Sequence, residues 1–184
     1  VNIAEVKLTG DNGDNIFNNT SSYGDSYEDF TNQYASLSTN QTYTIRVEIG
    51  TTNPNLLINE FAGAKIYADW NTDGDFYDVH EEVGIINVDT VPFTTGITFT
   101  VPNSINGYVT RLRIAMQENN DSIIGPCDSS YFDLSTGTFL SPIRGGTEDY
   151  SIVVNASQQP TFMWSNGETT QVIDSLSSGT YTCL

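Results

Sequence analysis

Asp69-Trp70-Asn71-Thr72-Asp73-Gly74-Asp75-Phe76-Tyr77-Asp78-Val79-His80-Glu81-Glu82 is the stretch on which the reading of this chain turns. Oxygen-bearing side chains recur at positions 69, 71, 73 and 75, and a glycine follows the third of them. Ca²⁺ is a hard cation that takes about 6–8 oxygen ligands. A short loop wraps that many around one ion only if alternate side chains point inward and a glycine permits a sharp turn. The spacing predicts a calcium loop whose ligands are Asp69, Asn71, Asp73, Asp75 (backbone or side chain) and Glu81. The competing reading is a solvated hairpin turn, which Asp, Asn and Gly favour on their own account. The alternation runs longer than a turn requires.

The half-motif D-x-N-x-D-G also opens an EF-hand loop, but the second half of the run departs from that pattern. An EF-hand places a bidentate Glu at its twelfth position. In this chain His80 stands there, and Glu81 comes one residue later. The flanks, Lys65-Ile66-Tyr67-Ala68 and Val83-Gly84-Ile85-Ile86, read as strands rather than helices. The expectation is therefore a metal loop set between two β-strands.

Outward from the loop the same texture continues. Thr42 to Ile49 alternates, with Tyr43, Ile45, Val47 and Ile49 on one face. Ile3–Leu8, Ala64–Trp70, Val83–Val88, Thr94–Val101 and Asp149–Val154 also read as strands. In Val109–Met116 the apolar candidates are Val109, Leu112, Ile114 and Met116. Gly10–Thr31 and Glu118–Gly146 read as long polar segments. No long run has helical periodicity. Seven or so short strands separated by turn signals predict an all-β fold, a calcium-stabilised antiparallel β-sandwich. The texture changes after Asn155, which divides the chain into residues 1–155, a polar linker at 156–160, and a short C-terminal strand pair within 161–184.

Six Lys and Arg face 23 Asp and Glu, for a formal net charge of −17. Binding to a nucleic acid backbone needs clustered cations, so nucleic acid is not expected as a partner, and neither is an anionic membrane surface. No stretch is long and apolar enough for membrane insertion. No signal peptide is visible, and Val1 is expected to follow upstream sequence. Cys127 and Cys183 are open to pairing with each other, pairing elsewhere, or remaining thiols.

Catalysis is not expected. His80 is the single histidine and lies inside the loop, so a nucleophile–His mechanism or a zinc hydrolase has little to build on. Carboxylate pairs are unavoidable among 23 acidic residues and so carry no information. Binding is better supported. Tyr23, Tyr27, Tyr34 and Tyr131 lie in polar segments, where an aromatic ring with Asp and Asn neighbours suits a polysaccharide.

Three features occur together: the loop from Asp69 with Glu81 downstream, Arg111-Leu112-Arg113-Ile114 followed by Pro126-Cys127, and Gly145-Gly146-Thr147-Glu148-Asp149-Tyr150 entering a last strand. In that order they resemble the GEVED domain of secreted Bacteroidota proteins. Asn18-Asn19-Thr20-Ser21 and Tyr27-Glu28-Asp29-Phe30-Thr31 resemble its early region. Glu and Val of the signature are Gly146 and Thr147 here, and the Tyr-Cys that often opens the domain is not among these residues, so the resemblance implies a partner for Cys127 upstream of Val1. Trp164-Ser165-Asn166-Gly167 with Gly179-Thr180-Tyr181-Thr182 resembles part of an SprB-type adhesin repeat. The resemblances imply a non-catalytic accessory module of a larger multidomain protein, secreted or on the cell surface, that binds carbohydrate or mediates adhesion. The alternative they leave is a structural spacer or stabilising domain of a secreted peptidase or other secreted enzyme. For Glu148 and Asp149 two roles stand: pairing with Arg111 or Arg113, or completing a calcium shell.

Overall fold

A computed structural model describes residues 2–19, 27–50, 62–88, 92–103, 108–118, 125–126, 131–133, 138–140, 146–156 and 163–183. Tyr23, Cys127 and most of the expected linker lie outside these residues. Eleven strands and no helix occur among the described residues. They are β1 (Asn2–Thr9), β2 (Asn15–Asn18), β3 (Tyr27–Ser38), β4 (Thr42–Gly50), β5 (Ala62–Ala68), β6 (Glu82–Val88), β7 (Phe93–Thr100), β8 (Tyr108–Glu118), β9 (Tyr131–Asp133), β10 (Thr138–Leu140) and β11 (Thr147–Asn155).

Two sheets carry the fold, in the order β2-β1-β4-β7 and β3-β11-β8-β5-β6, with β9 and β10 as a separate hairpin. One core draws on both sheets, the arrangement of a β-sandwich. Ile45, Val47 and Ile49 of β4 meet Ile66, Leu112, Ile114, Ile152 and Val154 of the second sheet there. The alternation expected for Thr42–Ile49 is realised, since each of those β4 side chains is buried. The sheets approach closely at the β6 edge. A Cβ on Gly84 would stand 2.3 Å from Ile97 Cγ2, so only glycine lets β6 lie against β7.

Four strands depart from the sequence reading. The polar segment 10–31 contains β2 and the start of β3, and the segment 118–146 contains β9 and β10. β3 is the longest strand, but it lies at a sheet edge, and its pairing with β11 jumps from Asp29↔Asp149 to Tyr34↔Ser151. That irregularity breaks the period, and an edge strand buries little, so neither signal was present. β3 also runs parallel to β11, so the sandwich is antiparallel except for this pair.

In β8 the apolar set is corrected by one residue. Thr110, Leu112, Ile114 and Met116 share the inner face, whereas Val109 is exposed. Thr110 tolerates the interior because its hydroxyl donates to the Asp69 carbonyl.

The described tail, 163–183, forms no named strand. A single bridge joins Trp164 to Cys183, and the expected Asn166-Gly167 turn is present, with Gly167 at φ +89°. The Trp164 indole N–H donates to the Thr170 carbonyl at 2.9 Å. No tail residue belongs to the core cluster.

Candidate metal centre

The loop from Asp69 to Glu81 joins β5 to β6, as its flanks predict. Its two ends are tied down. Ala68 N–H donates to Glu81 C=O at 2.9 Å, and Asp69 N–H donates to Arg111 C=O of β8 at 3.0 Å. Between them the chain curls by a repeated local device. Asn71 Oδ1 accepts the Asp73 N–H at 3.1 Å, Asp73 Oδ1 accepts the Asp75 N–H at 3.1 Å, and Asp75 Oδ1 accepts the Tyr77 N–H at 2.9 Å. Each side chain caps the backbone two residues on, which is the Asx turn. Gly74, at φ +95°, makes the sharp bend and donates its N–H to Asp69 Oδ2 at 3.2 Å.

This winding brings the acidic side chains together. Asp73, Asp75 and Asp78 each offer an oxygen, and these oxygens lie within 4.8 Å of one another on the exposed side of the loop. Asn71 Nδ2 donates to Asp73 Oδ2 at 2.9 Å and to Asp78 Oδ2 at 2.7 Å. The N–H end of a neutral amide dipole thus already sits between two carboxylates. Turning the amide over would present Oδ1 to a cation there, at the expense of the bond it accepts from the Asp73 N–H. Hydrogen bonds, from the Asp75 backbone N–H first and then the Asn71 side-chain amide, hold the Asp73 carboxyl below the usual carboxylate range.

Asp69 and Glu81 lie beneath this cluster. Glu81 is buried and accepts the N–H of Trp70 at 2.9 Å, of Asp78 at 3.3 Å and of Asn71 at 3.5 Å. Burial pushes its carboxyl up, the three N–H groups pull it down, and the Asp69 charge adds to the rise. Asp69 is only 7% exposed. One of its oxygens takes the Gly74 N–H, and the other, Oδ1, is buried without a hydrogen-bond partner. A buried carboxylate oxygen left unpaired is costly, so the site fits a cation chemically.

Of the five predicted ligands, Asp73 and Asp75 meet in the cluster, Asn71 bonds to it, and Asp69 and Glu81 brace the loop from below. Asp78 was missed. It breaks the every-second-residue spacing because the Asx turn at Asp75 reverses the chain before it. Its only sequence signal was being the next acidic residue after Asp75.

The loop is also fastened to the outer face of the second sheet. Phe76 is buried against Tyr67 and Ala115, and the Arg113 guanidinium lies 4.8 Å from the Phe76 ring centre. Arg113 grips Asp149 with two parallel bonds, Nε–Oδ1 at 2.7 Å and Nη2–Oδ2 at 2.8 Å, and donates to Pro126 C=O at 2.9 Å. Asp149 is fully buried and also receives the Tyr27 hydroxyl at 3.0 Å, while Arg111 stands 3.5 Å away. Arg111 and Arg113 therefore do face one side, and Asp149 is engaged with them.

Glu148 points the other way, into the core. It accepts the Tyr150 hydroxyl at 2.5 Å, and that hydroxyl accepts from Asn18 Nδ2 at 2.8 Å. Burial pushes the Glu148 carboxyl up to about 7, partly offset by the Tyr150 bond and reinforced by Glu28.

Tyr27 and Tyr34 are half-exposed on β3. Tyr131 begins β9, and Tyr23 lies outside the described residues. Beside the loop are two recesses. One, of about 310 Å³, is lined by Asp69, Thr72, Phe76, Val109 and Arg111 among others. The other, of about 480 Å³, is lined by Asn71, Asp78, Val79, His80, Pro102 and Tyr108 among others. Tyr108, the first residue of β8, is the exposed aromatic ring of the second recess.

No curated protein matches the chain. The region from β5 through most of β11, which holds the loop, both arginines and Glu148-Asp149-Tyr150, does match a family: residues 63–153 fit the model of the GEVED domain.

Proposed function

We propose that this chain is a non-catalytic, calcium-stabilised module that binds carbohydrate as part of a larger secreted or cell-surface protein. The observation that carries the calcium reading is the orphaned Oδ1 of Asp69, buried under an acidic loop. Asp69, Asn71, Asp73, Asp75 and Glu81 are the ligand set we assign, with Asp78 as an addition. A bound Ca²⁺ would supply the missing partner of Asp69 and offset the mutual repulsion of the cluster. The carbohydrate reading is supported by aromatic rings among acidic and amide side chains beside the loop, with Tyr27 and Tyr34 as further candidates on β3. A net charge of −17 favours a neutral polysaccharide, or an anionic one only with calcium present.

Calorimetry tests the calcium reading. A ligand that binds only the folded state raises the unfolding midpoint with its concentration. The midpoint should rise from EDTA to excess calcium, and Asp69→Asn and Asp73→Ala should each remove most of that rise. An unchanged midpoint would refute the site. Electrophoresis through gels containing neutral polysaccharides, with calcium present, tests the binding reading. The spacer role is supported by the packing of Phe76 and Arg113 under the loop, which would tie metal binding to the fold itself. A filled calcium site with no retardation in any gel would select it.

A further inference from the structure

We infer that the recess of about 480 Å³ between the loop and the start of β8 is a subsite for a single neutral pyranose ring. This rests on the carbohydrate reading and goes further by fixing the place, the residues and the ligand class. The volume lies within the range of about 300–1,000 Å³ typical of small-molecule sites. Its walls divide by chemistry. Tyr108 is 56% exposed at the mouth, and Val79 and Pro102 add aliphatic surface. Asn71, Asp78 and His80 supply planar polar groups.

A pyranose has the same division, with C–H groups on its faces and hydroxyls around its rim. An exposed tyrosine offers a flat, rigid apolar face for the first. Amide and carboxylate side chains accept from, or donate to, the second. Among the described residues the recess is lined by no Lys or Arg, while Asp78 and Glu81 both border it. An anionic group would meet uncompensated negative charge, so the ligand is uncharged.

The loop backbone holds the polar wall in place. His80 lies at φ +79°, in the left-handed region that non-glycine residues seldom occupy. Its carbonyl is pinned by the Trp70 indole N–H at 3.1 Å, and Trp70 is itself buried in the core. A strained residue held by a core side chain beside a recess is the pattern expected of a preformed binding wall. Asn71 and Asp78 belong both to this wall and to the acidic cluster, so the recess and the metal loop share residues. Ordering the loop with calcium should order half of the subsite.

The test uses the whole chain and the methyl glycosides of glucose, galactose and mannose, read by ligand-observed saturation-transfer NMR with calcium and with EDTA. At least one glycoside should give a signal with calcium that falls with EDTA. Tyr108→Ala should weaken binding roughly tenfold, the loss of one stacked ring, while Tyr108→Trp should retain it. Phe17→Ala, an exposed ring on the other sheet, should leave it unchanged. Unfolding midpoints of each variant with calcium show that the fold and the metal loop survive. If neutral polysaccharides retard the protein but Tyr108→Ala is retarded equally, the subsite is wrong and the carbohydrate reading stands. If no polysaccharide or glycoside binds, both fail. Binding of hexalysine in place of every glycoside would identify a cation pocket and overturn the pyranose assignment.

Discussion

Glu148 shows how much one residue's meaning depends on which way it points. The sequence placed Glu148 and Asp149 side by side with two open roles. On a strand, neighbours face opposite ways, so one of them meets the arginines and the other enters the core. Asp149 took the arginines. Glu148, at 3% exposure, shares the core side with Tyr150, Asn18 and Phe30, and pairs across the parallel ladder with Glu28. Its folded carboxyl titrates at about 7, above the unfolded value of 4.5. A raised folded pKa means that the native state holds its proton longer than the unfolded state. The group costs nothing below the unfolded value, and stability is lost as pH climbs from about 4.5 to about 7. Glu148→Gln keeps an oxygen for the Tyr150 hydroxyl and removes the charge. It should stabilise the protein by up to about 3 kcal/mol at pH 8 and change little at pH 4. Urea unfolding at the two pH values checks this, and equal effects at both would show that Glu148 is not the group responsible.

At the scale of the element, strands were legible where one face alone is buried, as in β4, whose alternation survives intact. They were illegible where the period is interrupted. β3 loses its rhythm at the register jump between Asp29 and Tyr34, and Thr110 masks the parity of β8 by being a buried polar residue. The acidic loop was legible as a list of oxygens, but its support was not. Nothing in the spacing of Phe76, Arg113 and Asp149 says that they stack into one column, because they belong to a loop and two strands joined only by folding. That column predicts a coupling. Arg113→Lys keeps the charge but cannot form the two-pronged bond to a fully buried Asp149. It should destabilise by on the order of 2–3 kcal/mol, and it should also weaken calcium binding by loosening Phe76 beneath the loop. Calorimetric titration measures the second effect separately. A stability loss with unchanged calcium affinity would show that the column holds the sheet and not the loop.

For the molecule as a whole, the sequence set the class and the sign of the charge, while the closure of the fold lay beyond it. β3 and β11 are joined in parallel across more than a hundred residues, and neither carries a pattern that names the other as partner. The family match also begins only at residue 63, so β1 to β4, three of which form most of one sheet, precede it. The charge is likewise a property of the whole that the fold redistributes. Exposed pairs such as Lys65–Glu82 and Arg46–Glu5 use some of the few cations at the surface, and Arg113 is committed to Asp149. Asp73, Asp75 and Asp78 are left crowded at the loop. Like charges held that close oppose folding, and salt screens them over about 10 Å at 0.1 M and about 3 Å at 1 M. In EDTA the unfolding midpoint should therefore rise as NaCl goes from about 0.1 M to about 1 M, where each kcal/mol corresponds to roughly 2–4 °C for a chain of this size. With the loop saturated by calcium the same salt step should raise it less, because the crowded carboxylates are already neutralised. If the two salt dependences coincide, the repulsion is spread over the surface and the loop is not its focus. If the midpoint falls with salt in EDTA, net attraction dominates the surface despite the −17 formal charge.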